Sequence, residues 1–111
     1  MHPEKLEGTT VTRHGTDECE VYFSKYTNNN RVAIVLQDKE TGEPYATASV
    51  NVVHADLKPD EVAIKDYSEG EGMLNDLVAA GIVEDTGKTV PSGYVDIPIA
   101  RLLKKPSWLK T

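Results

Sequence analysis

The chain has one cysteine, Cys19, so no internal disulfide can form and a reducing compartment is the expected setting. No apolar run approaches the ~20 residues that a membrane-spanning helix needs, so no membrane association is expected. The opening MHPEKLEGTT lacks the basic-then-apolar pattern of a secretory signal, and a cytoplasmic location is the expectation. Basic residues are in deficit: 12 Lys and Arg stand against 18 Asp and Glu, for a net charge of −6. Sequence-independent nucleic-acid binding rests on Lys and Arg neutralising phosphates, so direct nucleic-acid contact is not expected either. There is no C-x-x-C and no H-x-x-x-H. His2, His14, His54 and Cys19 therefore lack ligand spacing, and no metal or cofactor is expected.

What is present suits one domain, 1–111, since 111 residues leave no room for a second independent core. Residues 1–8 and 106–111 read as loose ends. The hydrophobic fraction is modest, 39%, with a mean hydropathy of −0.42, but the apolar residues are periodic. That argues for a folded domain rather than disorder. The stretch from Asp66 to Gly87 organises the rest. Ser68 and Glu71 have the spacing of a capping box. Met73, Leu74, Leu77 and Val78 share one side of a helix, and Gly81 is suited to end it.

The helix needs a sheet to lie on. Thr9–Arg13 is β-prone, and His14-Gly15-Thr16-Asp17 reads as a turn. Glu18–Tyr26 alternates, with Cys19, Val21 and Phe23 on one face. Asn28-Asn29-Asn30 is a turn, Arg31–Gln37 a strand apolar on both faces, and 38–44 a hairpin loop with Gly42 supplying positive φ. Tyr45–Val53 returns. Glu61–Lys65 is a short strand or an extended approach to the helix, Ile82-Val83 is too brief to assign, and Gly87 and Pro91-Ser92-Gly93 bracket a loop. Pro98 assigns Tyr94–Ala100 to an edge. The expected fold is α+β: a mainly antiparallel sheet of about five strands, a meander at its core, with one amphipathic helix on a face.

No constellation for catalysis emerges, and the chain reads as a non-enzyme. Cys19 lies on an apolar strand face, where a thiol behaves as a small hydrophobe. Glu69 and Glu71 fall in a first helical turn, where the dipole favours negative charge. Those same carboxylates would repel phosphate from S-E-G-E-G, so it is no phosphate cradle.

Two surfaces remain. By parity Tyr22, Tyr26 and Tyr45 share the sheet face away from the helix, either as recognition residues or as half-buried cross-strand pairs. Trp108, in a basic end with Arg101, Lys104, Lys105 and Lys110, folds back on the core or docks on a partner. Asp60, Glu61, Asp66, Glu69, Glu71, Asp76, Glu84 and Asp85 form a candidate acidic face.

The segments LQDKETGEPYATASVNV, IKDYSEGEGML and VPSGYVDIPIARL together resemble a small bacterial family known only as a domain of unknown function, met in gut bacteria and their mobile genetic elements. The resemblance covers most of the chain. It implies a shared fold and carries no active-site residues across. The expected function is a non-enzymatic protein-binding module or mobile-element accessory with a protein partner. An acidic inhibitor that mimics nucleic acid toward a nuclease or DNA-binding protein is the alternative. A small ligand-binding protein or enzyme, with a pocket near His54, Asp56 and Tyr67, comes third. An exposed edge near Pro98 or at the first strand is a candidate for homodimer pairing.

Overall fold

The computed structural model describes residues 3–109, with the backbone alone at Glu69. His2, Lys110 and the Glu69 side chain, weighed above, lie outside the described residues. The chain forms β1 (Glu4–Arg13), β2 (Asp17–Lys25), β3 (Val32–Asp38), β4 (Pro44–Thr47), β5 (Glu61–Ala63), α1 (Met73–Ala79), β6 (Val83–Ser92) and β7 (Val95–Leu102). All paired strands are antiparallel. The mostly antiparallel, one-helix α+β class holds.

The single five-strand meander does not. The strands make a four-stranded sheet, β1-β2-β3-β4, and a three-stranded sheet, β5-β7-β6. The strand expected over Tyr45–Val53 ends at Thr47, and residues 48–50 act as a hinge between the sheets. The Ala48 N–H donates to Ile34 O at 2.8 Å, while the Val50 N–H donates to Ala63 O at 3.0 Å and Lys65 N–H to Ala48 O at 2.8 Å. Ser49 bridges to Ile64, and its Oγ accepts the Ile34 N–H at 2.9 Å. A serine thus completes a backbone ladder that a regular strand would have supplied.

The N-terminal end is more ordered than the sequence suggested. Residues 4–8, expected loose, belong to β1, whose register shifts between Lys5 and Thr10 around Gly8 at φ 76°. His14 and Gly15, at φ 54° and 75°, are the central residues of a turn closed by the Thr16 N–H on Arg13 O at 3.2 Å, within the three-residue loop 14–16 that leads into β2, where Arg13 pairs with Asp17. Ile82-Val83 opens into a ten-residue strand, and Pro91 and Ser92 lie within it rather than in a loop. The proline argument also misplaced β7, which is the central strand of its sheet. Pro98 is tolerated because β5 is short: its last paired residue, Ala63, sits opposite Ile99, so no ladder donor is required one step further on. The Pro98 carbonyl still accepts the Ile64 N–H at 3.0 Å.

Alternation along β5 and β7 sends side chains into two cores. Val62, Ile64, Ala100 and Leu102 join Val11, Cys19, Val21, Phe23, Ile34 and Leu36 around Met73, Leu74 and Leu77 of α1. Ala63, Ile97 and Ile99 turn the other way, beneath Val52 and Ala55. Strands β5 and β7 are therefore covered on both faces, whereas β6, VEDTGKTVPS, buries only Val83 and leaves most of its side chains exposed.

Helix α1 packs against β1 and β6, the outer strands of the two sheets. It begins later than expected. Gly72, at φ 87°, precedes Met73, and the Leu74 N–H donates to Asp66 Oδ1 at 3.2 Å. Ser68, at φ 53°, instead opens a 3-10 turn over Ser68–Gly70, so the Ser68–Glu71 capping box does not form. A Cβ at Gly70 would lie 2.2 Å from the Lys65 carbonyl oxygen, so glycine there permits a close backbone approach. The expected stop is present: the Ile82 N–H reaches Leu77 O at 3.2 Å and the Gly81 N–H reaches Val78 O at 3.0 Å, with Gly81 at φ 75°. Of the four residues assigned to the buried face, Val78 is 42% exposed, because at about 100° per residue it falls past the edge of the stripe formed by Met73, Leu77 and Leu74.

Candidate functional site

Three of the five large hydrophobic side chains that the described residues expose lie at one end of the second sheet: Val53 at 62%, the fully exposed Tyr94, and Val95. Single exposed apolar residues are ordinary, but a group at one end of a scaffold is not. Tyr94 occupies the two-residue turn joining β6 to β7, where Ser92 pairs with Val95 and Gly93 takes φ 61°. Tyr94 is not found from the sequence, where Pro91-Ser92-Gly93 brackets a loop, because Pro91 and Ser92 lie within β6. The signal was Gly93-Tyr94 itself, a two-residue glycine turn between alternating stretches.

Polar contacts fix the loop that carries Val53. Arg31 donates through Nη1 to Val52 O at 2.7 Å and through Nη2 to Ala55 O. Asn29 Nδ2 donates to Asn51 Oδ1 at 3.0 Å, and Asn51 Nδ2 to Asn28 Oδ1 at 2.9 Å. The asparagine turn that the sequence marked, with Asn30 at φ 59°, thus has a second role as a clamp on residues 51–55. His54 Nε2 donates to the Pro91 carbonyl at 3.1 Å, joining this loop to the β6–β7 hairpin. Val52 and Ala55 anchor the loop from beneath in the second core. The arrangement offers a held apolar surface and little chemistry.

The tyrosines named from sequence separate. Tyr22 lies opposite Lys5 and Val35 on the outer face of the first sheet, half-buried. Tyr45 falls where the β3–β4 register shifts, packs against the main core and donates its hydroxyl to Asp17 Oδ2 at 2.7 Å. That bond, with lesser contributions from burial and nearby charge, pushes the Tyr45 phenol up to about 12. The Tyr26 hydroxyl hydrogen-bonds Ser49 Oγ at 2.9 Å, and burial raises its pKa above 10.0 although the Ser49 bond opposes the rise. Tyr45 leaves the face that parity gives it because it is the extra residue where Leu36↔Ala46 gives way to Gln37↔Pro44. Trp108 packs against the main core.

Several members of the candidate acidic face have internal partners. Asp76 meets the buried Arg13 guanidinium at 2.5 Å. Glu61, 4% exposed, accepts the Lys58 N–H at 3.0 Å and pairs with Lys88 at 2.5 Å. Burial alone would raise the Glu61 pKa, but the Lys58 and Lys88 contacts together bring it below its ordinary 4.5. Glu84 pairs with Arg101 at 2.5 Å, Asp85 accepts the Gly87 N–H at 2.9 Å, and Asp66 caps α1. Glu71 is exposed and Asp60 half-buried.

Cys19 is buried, and desolvation, followed by the Asp38 and Asp17 charges, pushes its thiol up to about 11. Such a thiol stays protonated and weakly nucleophilic at neutral pH. Hollows of about 140 Å³ (Thr10, Thr12, Asp76, Ala79, Ala80) and about 110 Å³ (Thr16, Glu18, Asp38, Lys39, Glu40) dent the surface. Both fall well short of the ~300 Å³ at which small-molecule sites begin. Neither touches His54, Asp56 or Tyr67; His54 is held by Pro91, and Tyr67 packs against the second core. Among the described residues, no group of three or more His, Cys, Asp or Glu side chains is placed to hold a metal ion. No helix among them is long and apolar enough to cross a membrane. No protein-family model, curated protein or solved structure matches the chain.

Proposed function

We propose that the chain is a non-enzymatic, cytoplasmic protein-recognition module that contacts its partner through the end formed by Tyr94, Val95 and Val53. One observation carries this reading: a fully exposed tyrosine stands at the tip of a hairpin that His54 ties to a clamped loop. Aromatic residues dominate binding energy at protein interfaces, and a rigid mount lowers the ordering cost of binding. The resemblance to a family of mobile-element proteins fits an accessory that acts by occupying another protein. The acidic-mimic alternative is weaker, because Glu61, Asp76 and Glu84 are each paired with a cation. Neither of the two hollows described above, at about 140 and 110 Å³, reaches the size that the ligand-binding alternative requires.

Affinity capture from the source cell with wild-type and Tyr94→Ala chains tests the proposal. A protein retained by the wild type should weaken by about 30-fold with Tyr94→Ala, the loss typical of an aromatic anchor. Identical capture by both chains would remove this end from consideration.

A further inference from the structure

Beyond β7 the chain turns back over the main core. Pro106 is buried, and Trp108 and Leu109 pack against the cluster that holds Phe23 and Val32. The contact crosses one end of the first sheet, where Glu4 lies opposite Phe23 and Lys25 opposite Val32. Glu4 accepts the Ser107 N–H at 2.8 Å with one oxygen and the Ser107 hydroxyl with the other. The Lys25 ammonium lies 4.5 Å from the centre of the Trp108 ring, within cation–π range.

These grips differ in kind from those that hold the sheets. The Leu103 and Lys104 N–H groups both reach Ile82 O, at 2.8 and 3.1 Å. Further on, the Leu109 N–H bonds within the segment, to Pro106 O at 3.1 Å, and the Ser107 N–H bonds the Glu4 side chain. The Glu4–Ser107 bonds are exposed, so water competes for both partners. Beneath them the indole Nε1 is buried with no hydrogen-bond partner among the described residues, and opening would return that donor to water.

We infer that Pro106–Leu109 is a strap that opens and closes over the end of the main core while both sheets stay folded, with Glu4 as its latch. Opening uncovers the Phe23–Val32 end of the core and frees an aromatic side chain next to Lys104 and Lys105. Local openings of this kind draw on the low end of a protein's range of opening free energies.

Trp108 is the only tryptophan, so its emission reads the strap directly. The test is acrylamide quenching of wild-type and Glu4→Ala chains across a urea titration, with circular dichroism recorded in parallel. Wild-type quenching should rise at urea concentrations that leave the sheet signal unchanged. In Glu4→Ala without urea, quenching should rise about fivefold with the dichroism preserved, as expected for a lost surface latch. If quenching and sheet signal change together in the wild type, the strap is part of the core and the inference is overturned. That wild-type comparison decides the matter even if Glu4→Ala does not fold, and Lys25→Met supplies a second loosened variant.

Discussion

Ser49 holds more of this molecule together than its size suggests. Its hydroxyl contacts the Ile34 backbone and the Tyr26 phenol at the point where one sheet passes into the next. Ser49→Ala orphans a buried N–H and should lower stability by about 1–3 kcal/mol in urea unfolding, against near-neutrality for an exposed serine. Glu61 gives a prediction in pH. Its folded pKa lies below the ordinary 4.5, so its contribution to stability is fully present above that value. The contribution is lost as pH falls through the folded pKa. Urea midpoints of wild type and Glu61→Gln should therefore differ near neutrality and converge as pH falls below the folded pKa of Glu61. A constant gap would mean the carboxylate charge is irrelevant. Neither role was legible in the sequence, because a polar side chain inside a β-stretch looks the same whether it faces water or completes a ladder.

At the scale of elements, the end of α1 was readable and its beginning was not. Gly81 stops the helix through bonds that depend on neighbours in sequence, and such local chemistry survives without tertiary knowledge. The start depends on Asp66 reaching across a 3-10 turn that Gly70 permits by its approach to Lys65, a tertiary circumstance. Gly81→Ala should cost about 1–2 kcal/mol, the penalty for an L-residue in the left-handed region. Leu77→Ala should cost about 2–5 kcal/mol as a core truncation, while Val78→Ala, at an exposed site, should fall within about 0.5 kcal/mol of wild type. Thermal or urea unfolding of the three variants checks the order. Had Val78 been part of the core, its truncation would rank with Leu77. Strand β7 teaches the complementary lesson: a proline excludes a strand from the centre only where a neighbour needs its N–H, and short β5 does not.

Over the whole molecule, two sheets joined at residues 48–50 share a core that α1 covers, and the second sheet carries a core of its own under the 51–55 loop. That second core was invisible in the sequence, since apolar runs do not say how many layers cover them. Its consequence is functional, because the loop it anchors and the β6–β7 turn together make the exposed apolar end. The most direct measurement is site-specific photo-crosslinking in the source cell, with a photoreactive residue placed in turn at positions 94, 53 and 22. Discrete adducts to the same protein from positions 94 and 53, with none from 22, are the predicted result. Adducts from 22 alone would contradict the account and move recognition to the outer face of the first sheet.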